Sequence, residues 1–317
     1  MKQKKYKRID KHLITEGSQI DFNLFLPNET KSAMSLFLQS DTAVDWNAKV
    51  KLREIEAVYI YEEEEEKYKA YVEKHLQSIA RSSEIPTEQK ARLVYEKAIE
   101  AIDVMFKNPE SLENVKNTQP VVDNFIDIIL HDNAAVESLM KITAHDYYTY
   151  THSINVSIYA LSLGSNLGIG GKDLEALGMA AMLHDLGKSK IDCDIINKNG
   201  KLTDDEFAQM KRHPALGHEI ALKLGIEDER ILTGIRHHHE KIDGGGYPDN
   251  IKGDQISQFA RIIGVCDVFD ALSTKRSYKD PMSSFESLAL MKQQMKGHLD
   301  MEMVNSFIKM LHKQGKS

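Results

Sequence analysis

Residues 182–189, MLHDLGKS, combine an apolar run of helical spacing with a histidine and an aspartate placed side by side. The apolar run predicts a buried helix, and Gly187 is typical of the position at which a helix ends. His184 and Asp185 stand at that end, so both side chains can point into one site. The stretch therefore predicts a helical fold that presents metal-ligand types of side chain where its helices end.

The same combination of an apolar helical run with histidine or aspartate recurs along the second half of the chain. Most of the 13 histidines lie between His131 and His239. The further segments that carry such residues are AHDYYTYTHSINV (144–156), KRHPALGHEI (211–220), the triplet His237-His238-His239 and VCDVFDALS (265–273). Their order and number predict that several helix ends contribute to one polar cluster.

Imidazoles and carboxylates together form the ligand set of divalent iron, manganese or zinc. Two such ions about 3.5–4 Å apart can activate a hydroxide and stabilise both the attacking and the leaving oxygen of a phosphodiester. A carboxylate such as that of Asp185 can bridge the two ions. The candidate ligands are His152, His184, Asp185, His213, Asp267 and two members of the triplet His237-His238-His239.

The remaining histidines have simpler interpretations. A single histidine on a helix is usually a surface residue or a hydrogen-bonded core residue. This interpretation applies to His12, His75, His131, His298 and His312. For His145 and His218 two interpretations stay open, namely a hydrogen bond to a metal ligand and a plain structural role.

Taken together, these segments resemble the HD-GYP family, a branch of the HD phosphohydrolase superfamily. The doublet His184-Asp185 lies within HDLGK, and HHEKIDGGGYP (238–248) fits the family pattern HHExxDGxGYP with no departure. This fit selects His238 and His239 as the histidine pair and leaves His237 outside the motif. The resemblance is close over residues 144–281 and extends over 120–317.

The resemblance implies an all-α bundle that hydrolyses the bacterial second messenger c-di-GMP to pGpG or GMP. It implies that one metal ion is held by His152, His184, Asp185 and Asp267, and the other by Asp185, His213, His238 and His239. Lys188 would face the substrate phosphate or the attacking water, as a catalytic and substrate-binding residue beside Asp185. The segment STKRSYK (273–279) is similar to the family's TSDRPYR, so Arg276 and Lys279 would bind substrate phosphates, a task that suits a guanidinium fork.

Two details of the family pattern bear on cofactors and partners. Some members hold a third metal through a glutamate four residues before the first histidine ligand, where this chain has Tyr148, a poor ligand at neutral pH. Two ions per chain are therefore expected, iron or manganese, with zinc able to replace them during purification. The loop Gly246-Tyr247-Pro248 is associated in the family with GGDEF-domain proteins, which makes such a protein a candidate partner.

Two alternative functions stay open. The chain could hydrolyse a cyclic GMP–AMP dinucleotide with the same metals, since no motif identifies the purine bases. It could also sense c-di-GMP or dock a GGDEF partner without turnover. Such a module would be expected to lack one of the metal ligands or the GYP loop. This sequence has the complete set of ligands and the GYP loop.

Composition limits the function classes further. The net charge of −7 over 317 residues argues against a general nucleic-acid-binding protein, which needs a basic surface. The two cysteines form no CxxC motif, and no apolar run is long enough to span a membrane. We therefore expect a reduced, soluble, cytoplasmic protein, and its oligomeric state, including a dimer, is left open.

The first part of the chain has a different pattern. Alternating apolar residues from Ile20 to Leu26 predict a strand that ends at Pro27, and further strands are predicted near residues 35–39 and 57–61. The acidic run that starts at Glu62 predicts the start of a helix. The expected fold is mainly α, with a small α+β regulatory domain over residues 1–110 and an HD-type helical catalytic bundle over 111–317.

Overall fold

The computed structural model describes residues 5–28, 33–131, 134–143, 151–274 and 281–314. The strands are β1 (Tyr6–Ile9), β2 (Gln19–Ile20), β3 (Leu24–Pro27), β4 (Met34–Leu38), β5 (Thr42–Ala43) and β6 (Val58–Tyr61). The first helices are α1 (Trp46–Glu54), α2 (Glu65–Lys74), α3 (Leu76–Arg81), α4 (Thr87–Lys107), α5 (Leu112–Lys116), α6 (Gln119–His131), α7 (Ala135–Thr143) and α8 (Thr151–Asn166). The later helices are α9 (Gly171–Leu183), α10 (Cys193–Ile196), α11 (Asp204–Met210), α12 (His213–Lys223), α13 (Glu229–His237), α14 (Gln258–Ser273), α15 (Ser284–Gln294) and α16 (Met301–Gln314).

The chain separates into two compact units, residues 1–90 and 91–317. All six strands that the described residues form lie in the first unit, and the described part of the second unit is helical. This arrangement confirms the predicted class, a mainly α protein with a small α+β region before a helical bundle. The functional division at residue 110 stays a prediction.

The first unit contains a four-stranded antiparallel sheet in the order β1-β6-β3-β4 and a separate pair, β2 with β5. The single strand predicted from Ile20 to Pro27 is wrong, because β2 ends at Ile20 and β3 begins at Leu24. Between them, the amide and side chain of Asn23 donate to the buried carboxylate of Glu64, at 3.2 and 2.7 Å to Oε1. A side chain therefore replaces a strand partner at this bend.

The second unit is built around α8, whose residues from Ser153 to Gly164 are all buried. A helix that is buried on all sides needs neighbours on every face. Helix α8 packs against α6, α7, α9, α14 and α16, and α13 packs against α9, α12 and α14. The aromatic rings of Tyr159, Phe269 and Phe307 meet edge to face where α8, α14 and α16 join. This packing places one end of several helices close together.

Among the described residues, we find no helix with both the length and the apolar composition required to cross a membrane.

Candidate metal centre

The seven residues predicted as metal ligands come from five helices and the turns that follow them. They are His152 on α8, His184 and Asp185 directly after α9, His213 at the start of α12, His238 and His239 directly after α13, and Asp267 on α14. The structure brings all seven together inside the second unit. Two groups are compact, since the ligand atoms of His152, His184 and Asp185, and those of His213, His238 and His239, each lie within 4.8 Å of one another.

Three of the imidazoles are oriented by a backbone carbonyl that precedes them in the chain. The Nδ1 atoms of His184, His213 and His238 lie 2.7, 2.8 and 2.8 Å from the carbonyl oxygen of the residue three positions earlier. A carbonyl oxygen only accepts hydrogen bonds, so each Nδ1 carries the proton and each Nε2 has a free lone pair. This is the arrangement seen behind metal-ligating histidines.

The Nε2 atoms of His213 and His238 lie 3.2 Å apart in a buried environment. Since both Nδ1 atoms hold the proton of a neutral ring, two lone pairs face each other with no hydrogen between them. That contact is repulsive unless a cation lies close to both nitrogens. The pair therefore fits a metal ion better than it fits a hydrogen bond.

Asp185 lies between the two groups. Its Oδ2 is 3.4 Å from the Nε2 of His184 and 3.7 Å from that of His152, and its Oδ1 is 3.3 Å from the Nε2 of His213. Within the described residues, neither this Oδ1 nor the Nε2 of His184 has a hydrogen-bond partner, although both atoms are buried. Unpaired buried polar atoms are rare in proteins and are explained when they are ligands to an ion. The carboxylate thus has one oxygen directed at each group.

Asp267 and His152 complete the cluster. The Oδ1 of Asp267 is 3.0 Å from the Nε2 of His152, and its Oδ2 is 3.7 Å from the Nδ1 of His239. Burial lowers the pKa of His152, but its hydrogen bonds to Asp267 and Asp270 outweigh burial and raise that pKa to about 9. Without a metal ion, His152 therefore holds a proton that an ion would have to displace.

The remaining titratable groups are held in the protonation states that divalent ions require. Burial lowers the pKa of His213 to about 3 and that of His239 to about 4, and it holds the pKa of His238 well below its usual range. Burial raises the pKa of Asp185, but the positive charges of Lys188 and of protonated His152 oppose burial, and the pKa of Asp185 is held well below its usual range. Neutral imidazoles and an ionised carboxylate are the metal-binding forms.

Acidification of the metal-free protein should lower its thermal stability between about pH 6.5 and pH 4. An unfolded chain protonates imidazole near pH 6.5, whereas His213 and His239 stay neutral in the folded state down to about 3 and about 4. The unfolded state then binds more protons, so stability rises with pH across this window. The raised pKa of His152 acts in the opposite direction, above about pH 6.5.

Thermal denaturation from pH 7 to 4 measures this loss of stability, and H213Q should make the melting temperature depend less on pH. A midpoint that does not fall would contradict the burial of neutral imidazoles.

The other candidate site residues are those that could bind substrate or support the ligands, and only some of them lie among the described residues. The ammonium of Lys188 donates to the Oδ2 of Asp185 at 2.5 Å, which places Lys188 at the edge of the cluster. Arg276 and Lys279 lie outside the described residues, as do His145 and Tyr148, so their predicted roles stay predictions. His218 is half-buried and belongs to neither ligand group.

Residues around the GYP loop also lie near the cluster. His237 contacts Asp249 instead of the cluster, at 2.9 Å between Nε2 and Oδ2. The ring of Tyr247, which the resemblance connects with a protein partner, lies 4.8 Å from the ring of His239. The loop therefore borders the candidate metal centre.

Two residues behind the cluster were not predicted from the sequence. The Nδ1 of His152 lies 2.7 Å from the Oδ2 of Asp270, and Asn155 donates to the same carboxylate. Asp270 stands three residues after Asp267 on α14, and Asn155 stands three residues after His152 on α8. Their spacing of one helical turn from a ligand on the same helix was the available signal.

Comparison with known proteins agrees with this geometry. A family model described as HD domain matches residues 127–303, which is more than half of the chain. The chain is 33% identical over 222 residues to the cyclic di-GMP phosphodiesterase PA4108 of Pseudomonas aeruginosa, covering 69% of this chain and 53% of that protein. It is 34% identical over 217 residues to the 3'3'-cGAMP-specific phosphodiesterase 3 of Vibrio cholerae, covering 65% of this chain and 47% of that protein. The chain thus spans about half the length of these curated relatives.

A solved structure supports the fold. Bd1817, an HDG"Y"P protein from Bdellovibrio bacteriovorus, matches with a TM-score of 0.67 at 20% sequence identity, over 97% of this chain and 100% of that one. At this identity the likeness concerns the fold alone. Together with the matching family model, the doublet His184-Asp185 and the triplet Gly246-Tyr247-Pro248 lead to one conclusion: this chain belongs to the HD domain family, in its HD-GYP-like branch.

Proposed function

We propose that this chain is a metal-dependent phosphodiesterase of cyclic dinucleotides and that c-di-GMP is its substrate. The observation that supports the proposal best is the buried pair of unprotonated Nε2 atoms, of His213 and His238, 3.2 Å apart. Beside this pair, the two oxygens of Asp185 are directed at two separate histidine groups. A paired divalent-metal centre accounts for both features.

The donor set divides naturally between two ions. His152, His184, Asp185 and Asp267 would hold one ion, and Asp185, His213, His238 and His239 would hold the other. Six ligands are buried or nearly so, which excludes most bulk water, and imidazole with carboxylate suits iron and manganese and also zinc. When bound, two divalent ions lower the pKa of water and neutralise charge that develops on phosphodiester oxygens.

Lys188 carries a positive charge directly beside the ligand set. Its ammonium is 2.5 Å from the Oδ2 of Asp185, and about 29% of its side chain is exposed. An ion held by Asp185 would compete with this contact and leave the ammonium free to turn toward the phosphate. Lys188 would then hold the scissile phosphate, or donate a hydrogen bond to the attacking water, from the open side of the centre.

The two sequence relatives bear on the choice of substrate. The Pseudomonas protein is named for cyclic di-GMP and the Vibrio protein for 3'3'-cGAMP, at 33% and 34% identity. The first covers slightly more of this chain, which favours c-di-GMP as substrate and pGpG or GMP as product. The near-equal identity to the second keeps 3'3'-cGAMP as the other candidate substrate.

The purified chain tests the proposal directly. Metal would be removed with a chelator, restored as manganese or ferrous iron, and the protein assayed against both dinucleotides with chromatographic separation of the products. Metal-dependent hydrolysis of c-di-GMP, with slower hydrolysis of 3'3'-cGAMP, is the expected result. Tight dinucleotide binding without turnover would instead support the sensor or docking module, and preferred hydrolysis of 3'3'-cGAMP would replace the substrate.

Replacing Arg276 with alanine should raise KM and leave the bound metal unchanged. Loss of a charge-assisted phosphate contact costs about 1.5–3 kcal/mol, or roughly 10- to 150-fold in KM. Steady-state kinetics with elemental analysis would measure both quantities, and K201A, at an exposed position, is the control. An unchanged KM would remove Arg276 from the substrate site.

Two further roles belong to the same proposal. Residues 1–110 would regulate the catalytic bundle of residues 111–317. The loop Gly246-Tyr247-Pro248 would be the contact for a GGDEF-domain protein. Neither role is needed for hydrolysis itself.

A further inference from the structure

One buried carboxylate next to the candidate metal centre has no place in the ligand assignment. Asp270 is 1% exposed, and its Oδ2 lies 2.7 Å from the Nδ1 of His152. The other helix-anchored histidines direct Nδ1 at a backbone carbonyl, which is a neutral acceptor. Among the described ligands, His152 alone has an aspartate within hydrogen-bond distance of its Nδ1, since the Nδ1 of His239 is 3.7 Å from the nearest carboxylate oxygen of Asp267.

Asp270 is in turn held by groups that are not ligands. The amide of Asn155 and the hydroxyl of Thr274 both donate to its Oδ1, each at 2.9 Å. The hydroxyl of Tyr95 donates to the Oδ1 of Asn155, also at 2.9 Å. Asn155, Thr274 and Tyr95 are all buried, so a continuous hydrogen-bond chain runs from α4 through α8 to α14 and ends at His152.

We propose that Asp270 is a positioning residue for the metal ion on the His152 side, and that Asn155 and Tyr95 hold Asp270 in place. A carboxylate that accepts the Nδ1 proton keeps the Nε2 lone pair directed at the ion, and it makes the imidazole a stronger ligand. Among the described histidine ligands, only His152 has a carboxylate hydrogen-bonded to its Nδ1. The effect on metal affinity should therefore be confined to the ion that His152 binds. This inference rests on the proposed two-metal centre.

The directions of the hydrogen bonds allow a selective test. In Asp270→Asn, the amide of Asn155 and the hydroxyl of Thr274 would still require an acceptor, so the new carboxamide oxygen should face them. Its NH2 group would then face the Nδ1 of His152 and donate to it, which moves the imidazole proton to Nε2. An imidazole with the proton on Nε2 cannot bind the ion through that nitrogen.

Metal affinity, measured by competition of manganese and zinc with a chelator, is the readout. Asp270→Asn should weaken one of the two ions by about 10- to 100-fold and leave the other unchanged. The double variant Asn155→Asp/Asp270→Asn should recover much of the loss, since the carboxylate introduced at position 155 can accept from the new NH2 group and let the carboxamide oxygen accept from His152. Two unchanged affinities, or equal weakening of both ions that the double variant does not reverse, would overturn the inference.

Two further measurements distinguish a failure of this inference from misfolding of the variant and from a failure of the proposed function. If Asp270→Asn does not fold, Tyr95→Phe replaces it, and a smaller weakening of the same single ion is expected. Unchanged affinity for both ions in Tyr95→Phe would then count against the inference. The proposed enzymatic function is judged separately, by turnover of the unmodified protein, so selective metal loss without any turnover would support the positioning role and contradict the proposed function.

Discussion

Replacing Asp185 with alanine should abolish hydrolysis and remove metal from both positions of the centre. Its two oxygens face separate groups, at 3.4 Å from the Nε2 of His184 and 3.3 Å from that of His213. Losing a group that only supports a ligand costs about 10- to 100-fold in metal affinity or activity, and losing a shared ligand should cost more than that.

The same change should have a small effect on the metal-free fold. The Oδ1 of Asp185 has no hydrogen-bond partner among the described residues, so its removal breaks little hydrogen bonding. Lys188 loses its contact with Asp185 but can turn toward solvent. Elemental analysis, circular dichroism and the phosphodiesterase assay, each repeated on D254A at an exposed position, would measure the three quantities. Two bound ions per chain and full turnover in D185A would show that the assigned centre is wrong.

Replacing Gly187 with alanine should destabilise the second unit and reduce activity together. A Cβ at this position would lie far inside van der Waals contact with the carbonyl oxygen of His213 and the amide nitrogen of Gly217. Both atoms belong to the backbone of α12 and cannot rotate away. The cost should reach the upper part of the range for overpacking, about 3 kcal/mol.

In G187A, this steric conflict should also move apart the two parts of the candidate metal centre that Asp185 and α12 carry. The turn Leu186–Lys190 carries Lys188 and directly follows Asp185, whereas α12 carries His213. Pushing the turn away from α12 would lengthen the distance between the Oδ1 of Asp185 and the Nε2 of His213. Thermal denaturation and metal stoichiometry would measure the effect.

G170A is the matched control, because among the described residues its added Cβ would meet no atom within 4 Å outside the adjoining backbone, and its φ of −147° is extended. It should cost under about 1 kcal/mol as a change at a helix N-cap. If G187A were as stable and as active as G170A, the close packing of the turn on α12 would not be needed.

Local patterns in the sequence were sufficient to predict many elements. The acidic run that starts at Glu62 was expected to begin a helix, and helix α2 is observed over Glu65–Lys74. Strand β6, rich in β-branched and aromatic residues, is observed over Val58–Tyr61. Both depend on neighbouring residues along the chain, which is why periodicity and propensity predict them.

Other features depended on residues distant in sequence. The strand expected from Ile20 to Pro27 is interrupted because Asn23 binds Glu64, which is 41 positions later. The alternation of buried residues was genuine, since Ile20 and Leu24 are both fully buried. Only the tertiary structure decided that this burial is reached through a bend.

The candidate metal centre divides in the same way. By itself, the sequence determined which residue types are available, because histidine and aspartate beside apolar helical runs are visible without a structure, and it determined the mainly helical class. The tertiary structure decided that His213 and His238 meet at 3.2 Å, that Asp185 lies between two groups, and that Asp270 supports His152. The physical reason is that ligand chemistry belongs to single residues, whereas distances between the ends of five helices are set by the packing of the whole unit.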